Sequence, residues 1–266
     1  MTLKRKAPIL ITPSQLLRKK NMLIIDARRE EDYKEGHIPN AISLPLAKIL
    51  SAKDANELAE IFRKVGVGDD THVVVYDDIF GALAARVAWT LEYLGHEKVS
   101  LLSVTFSKWK ELGYKVEKRV RKPKPAKKFT IKINKDILAT YDYVQSVLKE
   151  SNNKILLDSR ERLNYLDTHI PRATNIPWRA FGDENSILKP PEELRRMLEN
   201  RKIKEDKEII TYCGSVGTLS GLAYYALKYA GYDNVKLYAK SLKEWKALQL
   251  PTEGFKEANY WDLSAE

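Results

Sequence analysis

Cys213 is the only cysteine among the 266 residues, so no disulfide can close within the chain and no cluster of thiolates can hold a metal. Long apolar runs are also missing. Nothing approaches the ~18 residues a membrane helix needs, and the basic start Met1 to Lys6 leads into a short stretch broken by Pro8 and Pro13. Neither a span nor a secretory signal is expected, and a cytoplasmic protein follows. With 12 Gly and 11 Pro the chain is neither collagen-like nor low in complexity, and 44% hydrophobic with 31% charged residues suits a globular protein with a real core. At roughly 100–200 residues per domain, the length fits two domains.

Acidic residues are absent from Lys118 to Lys135, where nine Lys and Arg carry almost all of the net charge of +10. The domain bodies are therefore nearly neutral, and the charge is not spread over a folded face as a nucleic-acid binder would require. Pro123 and Pro125 lie in this strip, whose composition predicts an extended, solvated connector. Aromatic platforms for a single strand are missing from it, so no nucleic-acid partner is expected.

Self-comparison reveals an internal repeat. Leu23-Ile24-Ile25-Asp26-Ala27-Arg28 matches Ile155-Leu156-Leu157-Asp158-Ser159-Arg160, and His37-Ile38-Pro39 matches His169-Ile170-Pro171, both 132 residues later. Val73–Tyr76 matches Ile209–Tyr212, Gly95 matches Gly231 and Trp109 matches Trp245, all 136 residues later. In each copy β-rich runs alternate with helical periods: Met22–Asp26, His72–Tyr76 and Val99–Leu102, then Lys154–Asp158, Glu208–Tyr212 and Val235–Tyr238, with helices over Ala82–Leu94 and Leu219–Ala230. Apolar strands separated by amphipathic helices predict an α/β domain with a small parallel sheet and helices on both faces. The expected layout is a first domain over 8–117, a linker over 118–135, a second domain over 136–252 and a tail over 253–266.

In such sheets the chemistry sits beyond the carboxyl ends of the strands. After Tyr212 comes Cys213-Gly214-Ser215-Val216-Gly217-Thr218 and then a helix. Two glycines are expected to curl the loop so that its N–H groups face inward, and the helix dipole adds positive potential at the same point. A thiol placed there is held as thiolate, the nucleophilic form. The matching position in the first copy is Asp77, followed by Asp78, so that copy has no thiol. Its loop, with bulky Ile79 and Phe80, is expected not to turn its amides inward, and a cysteine placed at Asp77 is expected to stay inactive.

The Asp-x-Arg strand ends, the His-Ile-Pro followed by Asn175-Ile176-Pro177-Trp178, the six-residue cysteine loop and the glycine before the next strand together resemble the tandem-domain rhodaneses. That sulfurtransferase family includes thiosulfate and 3-mercaptopyruvate sulfurtransferases. The resemblance implies two tandem rhodanese-like domains, the first inactive and walling one side of the active cleft, and the second acting through a Cys213 persulfide without metal or organic cofactor. It implies a small-molecule sulfur donor and a thiophilic acceptor such as cyanide or a thiol; the alternative is a persulfide sulfur carrier that delivers to a sulfur-acceptor protein or a tRNA-modifying partner. Gly214, Ser215, Val216, Gly217 and Thr218 would surround the transferred sulfur. Arg160 would meet the anionic end of the donor, or else form a structural ion pair with a neighbouring acid. The neutral Gly214-Ser215 pair matches mercaptopyruvate-type relatives, while Arg160 serves thiosulfate equally. A rhodanese-like phosphatase would close its loop with an arginine that grips phosphoryl oxygens, and neither this loop nor the following helix contains one. His37 and His169 recur in both copies; a local hydrogen bond at the turn before proline explains His169 better than catalysis does, while the resemblance leaves His37 open, since the residue at its place in mercaptopyruvate-type relatives faces the shared cleft. Asp26 and Asp158 are explained by anchoring a turn.

Overall fold

The computed structural model describes residues 4–149 and 153–255. It divides into two compact units, one of Met1–Asp136 with Glu184–Ile187 and one of Ile137–Asp183 with Leu188–Glu266. Residues 256–266, most of the expected tail, lie outside the described residues.

Unit 1 contains strands β1 (Leu10–Ile11), β2 (Met22–Asp26), β3 (Ile42–Ser43), β4 (His72–Tyr76) and β5 (Val99–Leu102). All pair in parallel, in the order β1-β5-β4-β2-β3. Its helices are α1 (Pro13–Arg18), α2 (Glu30–Glu35), α3 (Leu46–Leu50), α4 (Ala55–Lys64), α5 (Ala82–Tyr93) and α6 (Phe106–Glu111). Unit 2 repeats the plan with β6 (Lys154–Asp158), β7 (Thr174–Asn175), β8 (Glu208–Tyr212) and β9 (Val235–Leu237), parallel in the order β7-β6-β8-β9. Helices α7 (Tyr141–Lys149), α8 (Arg162–Asp167), α9 (Pro191–Asn200), α10 (Thr218–Tyr229) and α11 (Ser241–Ala247) flank that sheet. In place of a strand matching β1, the described residues of unit 2 have an isolated bridge of Leu138 to Leu237.

Central strands β4 and β8 carry four buried residues each after a half-buried first one. Both faces of a parallel sheet are covered, which is why these strands read as continuous apolar runs rather than alternating ones. The helices that follow, α5 and α10, are apolar nearly all round and buried along most of their length, as expected of helices enclosed within a core. Trp109 and Trp245 are fully buried at matching places, and each indole N–H donates to a carbonyl six residues on, Lys115 at 2.8 Å and Pro251 at 2.7 Å. Local sequence starts the outer helices: Thr12 and Gln15 close a capping box around Pro13, and Asp54 accepts from the Glu57 N–H at 2.9 Å.

The basic strip departs from its expected extended, solvated state. Its backbone is tied to unit 1: Ala126 N–H donates to Arg63 O at 2.8 Å, Lys132 N–H to Leu94 O at 2.8 Å and Asn134 N–H to Tyr93 O at 2.8 Å. Thr130 donates twice to Asp69, and Phe129 stacks between Phe62 and His96. Gly95, at φ +95°, shows how close the strip lies, because a Cβ there would come within 2.4 Å of the Lys132 carbonyl. Carbonyls at the ends of α4 and α5 need donors, and the strip's amides supply them while its lysines face water. Among the described residues no helix is long and apolar enough to cross a membrane.

Candidate active site

The Asp-x-Arg motif builds the same network in each unit. Asp158, at the end of β6, accepts from the Arg160 backbone N–H at 2.9 Å and from its guanidinium at 2.6 and 3.1 Å, and the guanidinium also reaches Thr168 O at 2.5 Å. Asp26 and Arg28 repeat this at 2.7 and 3.0 Å, with Gly36 O as the extra acceptor. The aspartates are fully buried, so these are desolvated pairs whose partners cannot be removed singly without leaving a buried charge. Tyr76 OH donates to Asp26 and accepts from Ile38 N–H at 3.1 Å, while Tyr212 OH accepts from Ile170 N–H at 3.1 Å. Each strand end is thereby clamped to the turn at His-Ile-Pro.

The histidines complete the clamp. His37 Nδ1 lies 2.8 Å from Tyr33 O and His169 Nδ1 2.7 Å from Tyr165 O, each ring stacked on the same tyrosine. Their backbones pair with Glu117 and Glu253. This local arrangement, identical with and without a thiol in the unit, accounts for both.

Cys213 follows β8 and is 2% exposed. Two carbonyls set the direction of its loop: Cys213 O accepts from Leu242 N–H at 3.1 Å and Gly214 O from Lys243 N–H at 2.9 Å, both at the start of α11. In a trans peptide the C=O and the next N–H point opposite ways, so the Gly214 and Ser215 amides turn away from α11. Cys213 N–H donates to Ser241 Oγ at 3.1 Å, and that hydroxyl lies 3.7 Å from the sulfur. Burial raises the thiol pKa, but the Ser220 hydroxyl and N–H, the Ser241 hydroxyl and the Ser215 N–H grouped around the sulfur outweigh it and leave the thiol below its ordinary value, the Ser220 hydroxyl being close to the sulfur without the alignment of a formed hydrogen bond. Helix α10 begins at Thr218 and adds the positive end of its dipole.

The two loop glycines differ. Gly217, at φ 75°, is the residue before α10 and occupies the left-handed region, whereas Gly214 is exposed and not left-handed. Only Gly217 is required by backbone conformation, and Gly81 holds the same place before α5 at φ 83°. Ser215 is exposed and Val216 half-buried. Arg160 reaches the loop through its side-chain stem, since a Cβ on Gly214 would lie 3.9 Å from Arg160 Cδ. Its guanidinium is committed to Asp158 yet still feels Cys213: burial pulls its pKa down, but Asp158, Tyr212 and Cys213 outweigh this and hold it above its ordinary value. The structure thus brings Cys213, Gly214, Ser215 and Arg160 together, with Thr218 starting the helix. Sequence reading missed Ser220 and Ser241. Ser220 was detectable by comparing the copies, where Thr211 and Ser220 face Val75 and Ala84.

The loop of unit 1 corrects one expectation. Asp77 Oδ1 accepts from Ile79 N–H at 2.9 Å and Gly81 N–H at 2.8 Å, and Oδ2 from Leu83 N–H at 2.7 Å and Ala84 N–H at 3.0 Å. Its amides do turn inward despite Ile79 and Phe80, because those side chains point to solvent at 46% and 42% exposure. Asp78 is turned away from the loop and binds Ser107 N–H and Oγ, both at 2.7 Å. Ile79 and Ala84 correspond to Ser215 and Ser220, two of the residues whose N–H groups face the sulfur in unit 2.

Residues 13–112 and 140–248 each match the family described as Rhodanese-like domain. The chain belongs to the rhodanese family. Among rhodanese relatives it is 33% identical over 242 residues to a thiosulfate sulfurtransferase of Bos taurus, covering 83% of this chain and 80% of the relative. It is 30% identical over 253 residues to a 3-mercaptopyruvate sulfurtransferase of Homo sapiens, covering 87% and 84%. It is 29% identical over 241 residues to the sulfur carrier protein TtuD of Thermus thermophilus, covering 80% and 83%. The fold is also similar to the wild-type structure of EanB, at a TM-score of 0.79 and 18% identity, covering 96% of this chain and 66% of that one.

Proposed function

We propose that the protein is a cytoplasmic thiosulfate sulfurtransferase that moves sulfane sulfur through a Cys213 persulfide, with 3-mercaptopyruvate as the alternative donor. One observation carries the reading: the lone thiol of the chain lies under inward-facing amides at the start of an enclosed helix, with its pKa held down. The Cys213 thiolate attacks the outer sulfur of thiosulfate, the S–S bond of the donor breaks, and sulfite leaves with the electron pair. The negative charge then rests on the terminal sulfur of the persulfide. Cyanide or a thiolate attacks that sulfur, the persulfide bond breaks, and its electron pair returns to Cys213 as thiolate. In both steps a sulfur anion forms or departs beside fixed backbone donors, which need no reorganisation. Arg160 contributes a cation near the loop, while the neutral Ser215 leaves the approach without added charge.

A carrier reading has support from the relative named as a sulfur carrier: the acceptor would then be another protein. Steady-state rates with thiosulfate and with 3-mercaptopyruvate, using cyanide or a dithiol as acceptor, test both readings. Multiple turnover, lost in Cys213→Ser, is expected. Stoichiometric loading with no turnover on small acceptors would favour the carrier, and equal turnover in Cys213→Ser would contradict both.

A further inference from the structure

Two hydroxyls lie near the Cys213 sulfur, and only one has a proton free to give. Ser241 Oγ accepts from Cys213 N–H and sits 2.9 Å from Tyr238 O as well as 3.7 Å from the sulfur, so its single proton is drawn to the carbonyl. Ser220 Oγ is fully buried and has no hydrogen-bond partner among the described residues. The matching residue of unit 1, Ala84, brings its N–H to 3.0 Å from the Asp77 carboxylate, so the repeat places Ser220 beside the Cys213 side chain, with its hydroxyl not aligned to the sulfur in this resting geometry. An unpartnered buried hydroxyl is destabilising, so its retention needs a reason.

The surrounding structure holds it in place. Ser220 is the third residue of α10, and its carbonyl accepts from the Thr211 hydroxyl of β8 at 2.9 Å, two residues before Cys213. Unit 1 has Val75 and Ala84 at these two positions. The Ala84 N–H there still serves the anion, donating to Asp77 at 3.0 Å. The backbone donor is thus common to both units, and the hydroxyl with its anchor exists only where the anion is a thiolate.

We propose that Ser220, its backbone pinned by Thr211, is a positioning residue whose hydroxyl is the donor reserved for the Cys213 thiolate formed each time the persulfide is discharged. In the loaded state Sγ is an uncharged divalent sulfur and the charge sits on the terminal atom. When the acceptor takes that atom, the electron pair of the broken S–S bond returns to Sγ, and the Ser220 hydroxyl turns to meet it. Stabilising the leaving thiolate favours discharge and keeps the sulfur-free enzyme ionised.

The test is the pH dependence of Cys213 alkylation by iodoacetamide on sulfur-free protein, with single-turnover discharge of preloaded protein to cyanide as second readout. In Ser220→Ala the alkylation midpoint is expected to rise by about one unit, slowing the reaction about tenfold at neutral pH while the high-pH plateau stays unchanged. Discharge should slow by a similar factor, and Ser220→Thr should restore both. Ser220→Gly removes the same hydroxyl and provides the measurement should the alanine variant not fold. An unchanged midpoint in the variants lacking the hydroxyl, or a failure of threonine to restore it, overturns the proposal. The second readout rests on the sulfur-transfer reading, but alkylation requires no donor, so a wild-type protein that cannot be loaded would sink that reading and leave the first test standing.

Discussion

Asp77 and Cys213 occupy the same point of two copies of one fold, at the end of a central strand and beneath the amides of a loop that feeds a buried helix. In unit 1 the loop is filled from within, because the Asp77 carboxylate takes four N–H groups. In unit 2 the residue is a thiol, shorter and uncharged until ionised, and at least two corresponding amides, those of Ser215 and Ser220, face it. The anion cradle is therefore a property of the fold, and the activity depends on what occupies it. Unit 1 displays the loop as it looks when satisfied by an anion, and so indicates which donors a persulfide would meet.

The largest expected effects come from the pair the copies share. Arg28→Ala and Arg160→Ala each leave a buried aspartate without its cation, and each should lose about 3–5 kcal/mol in denaturant unfolding of its own unit. They should then part company in catalysis. Below the melting temperature, Arg160→Ala should lower kcat/KM about tenfold or more for both thiosulfate and 3-mercaptopyruvate, since each donor has an anionic end, while Arg28→Ala stays within a few-fold. Equal kinetic losses in the two variants would reduce Arg160 to an architectural residue.

Next in size is the contrast at the loop itself. Asp77→Ala strips the acceptor from four amides, two buried and two partly buried, and should destabilise unit 1 by about 3 kcal/mol, whereas Cys213→Ala removes a group with few obligations and should shift unit 2 by under about 1 kcal/mol. Thermal unfolding monitored for each transition distinguishes these. If Asp77→Ala is silent, the carboxylate is not what closes the first loop.

The smallest effect separates the two glycines of the active loop. Gly217→Ala forces a Cβ into the left-handed region and should destabilise by about 1–2 kcal/mol with slower sulfur transfer. Gly214→Ala, in ordinary backbone conformation with its nearest neighbour at 3.9 Å, should be nearly neutral in stability. The reverse ranking would mean that the loop curls at Gly214.

Much of this architecture was legible in sequence because a repeat exposes it twice. Strands such as His72–Tyr76 and Glu208–Tyr212 are long, apolar and flanked by helical periods, so their boundaries were readable to the residue. The two-residue strands β1, β3 and β7 carry no periodicity and were invisible. The docked strip was misread because its lysines describe only the side facing water, and the backbone amides that tie it to α4 and α5 leave no trace in composition. The inward amides around Asp77 were missed for a related reason: Ile79 and Phe80 suggest crowding, but a loop's side chains and its N–H groups need not point the same way. Arg160 was readable as a cation near the thiol or as half of a structural ion pair, but not that one residue is both, pairing with Asp158 while its stem lies against the loop, because such placement is set in three dimensions.

The most direct test of the account is intact-mass measurement of the protein after exposure to thiosulfate, followed by cyanide. One added sulfur per chain, mapped to Cys213, removed by cyanide and absent from Cys213→Ser, is the predicted result. A folded wild-type chain that gains no sulfur, or a Cys213→Ser chain that does, would contradict it.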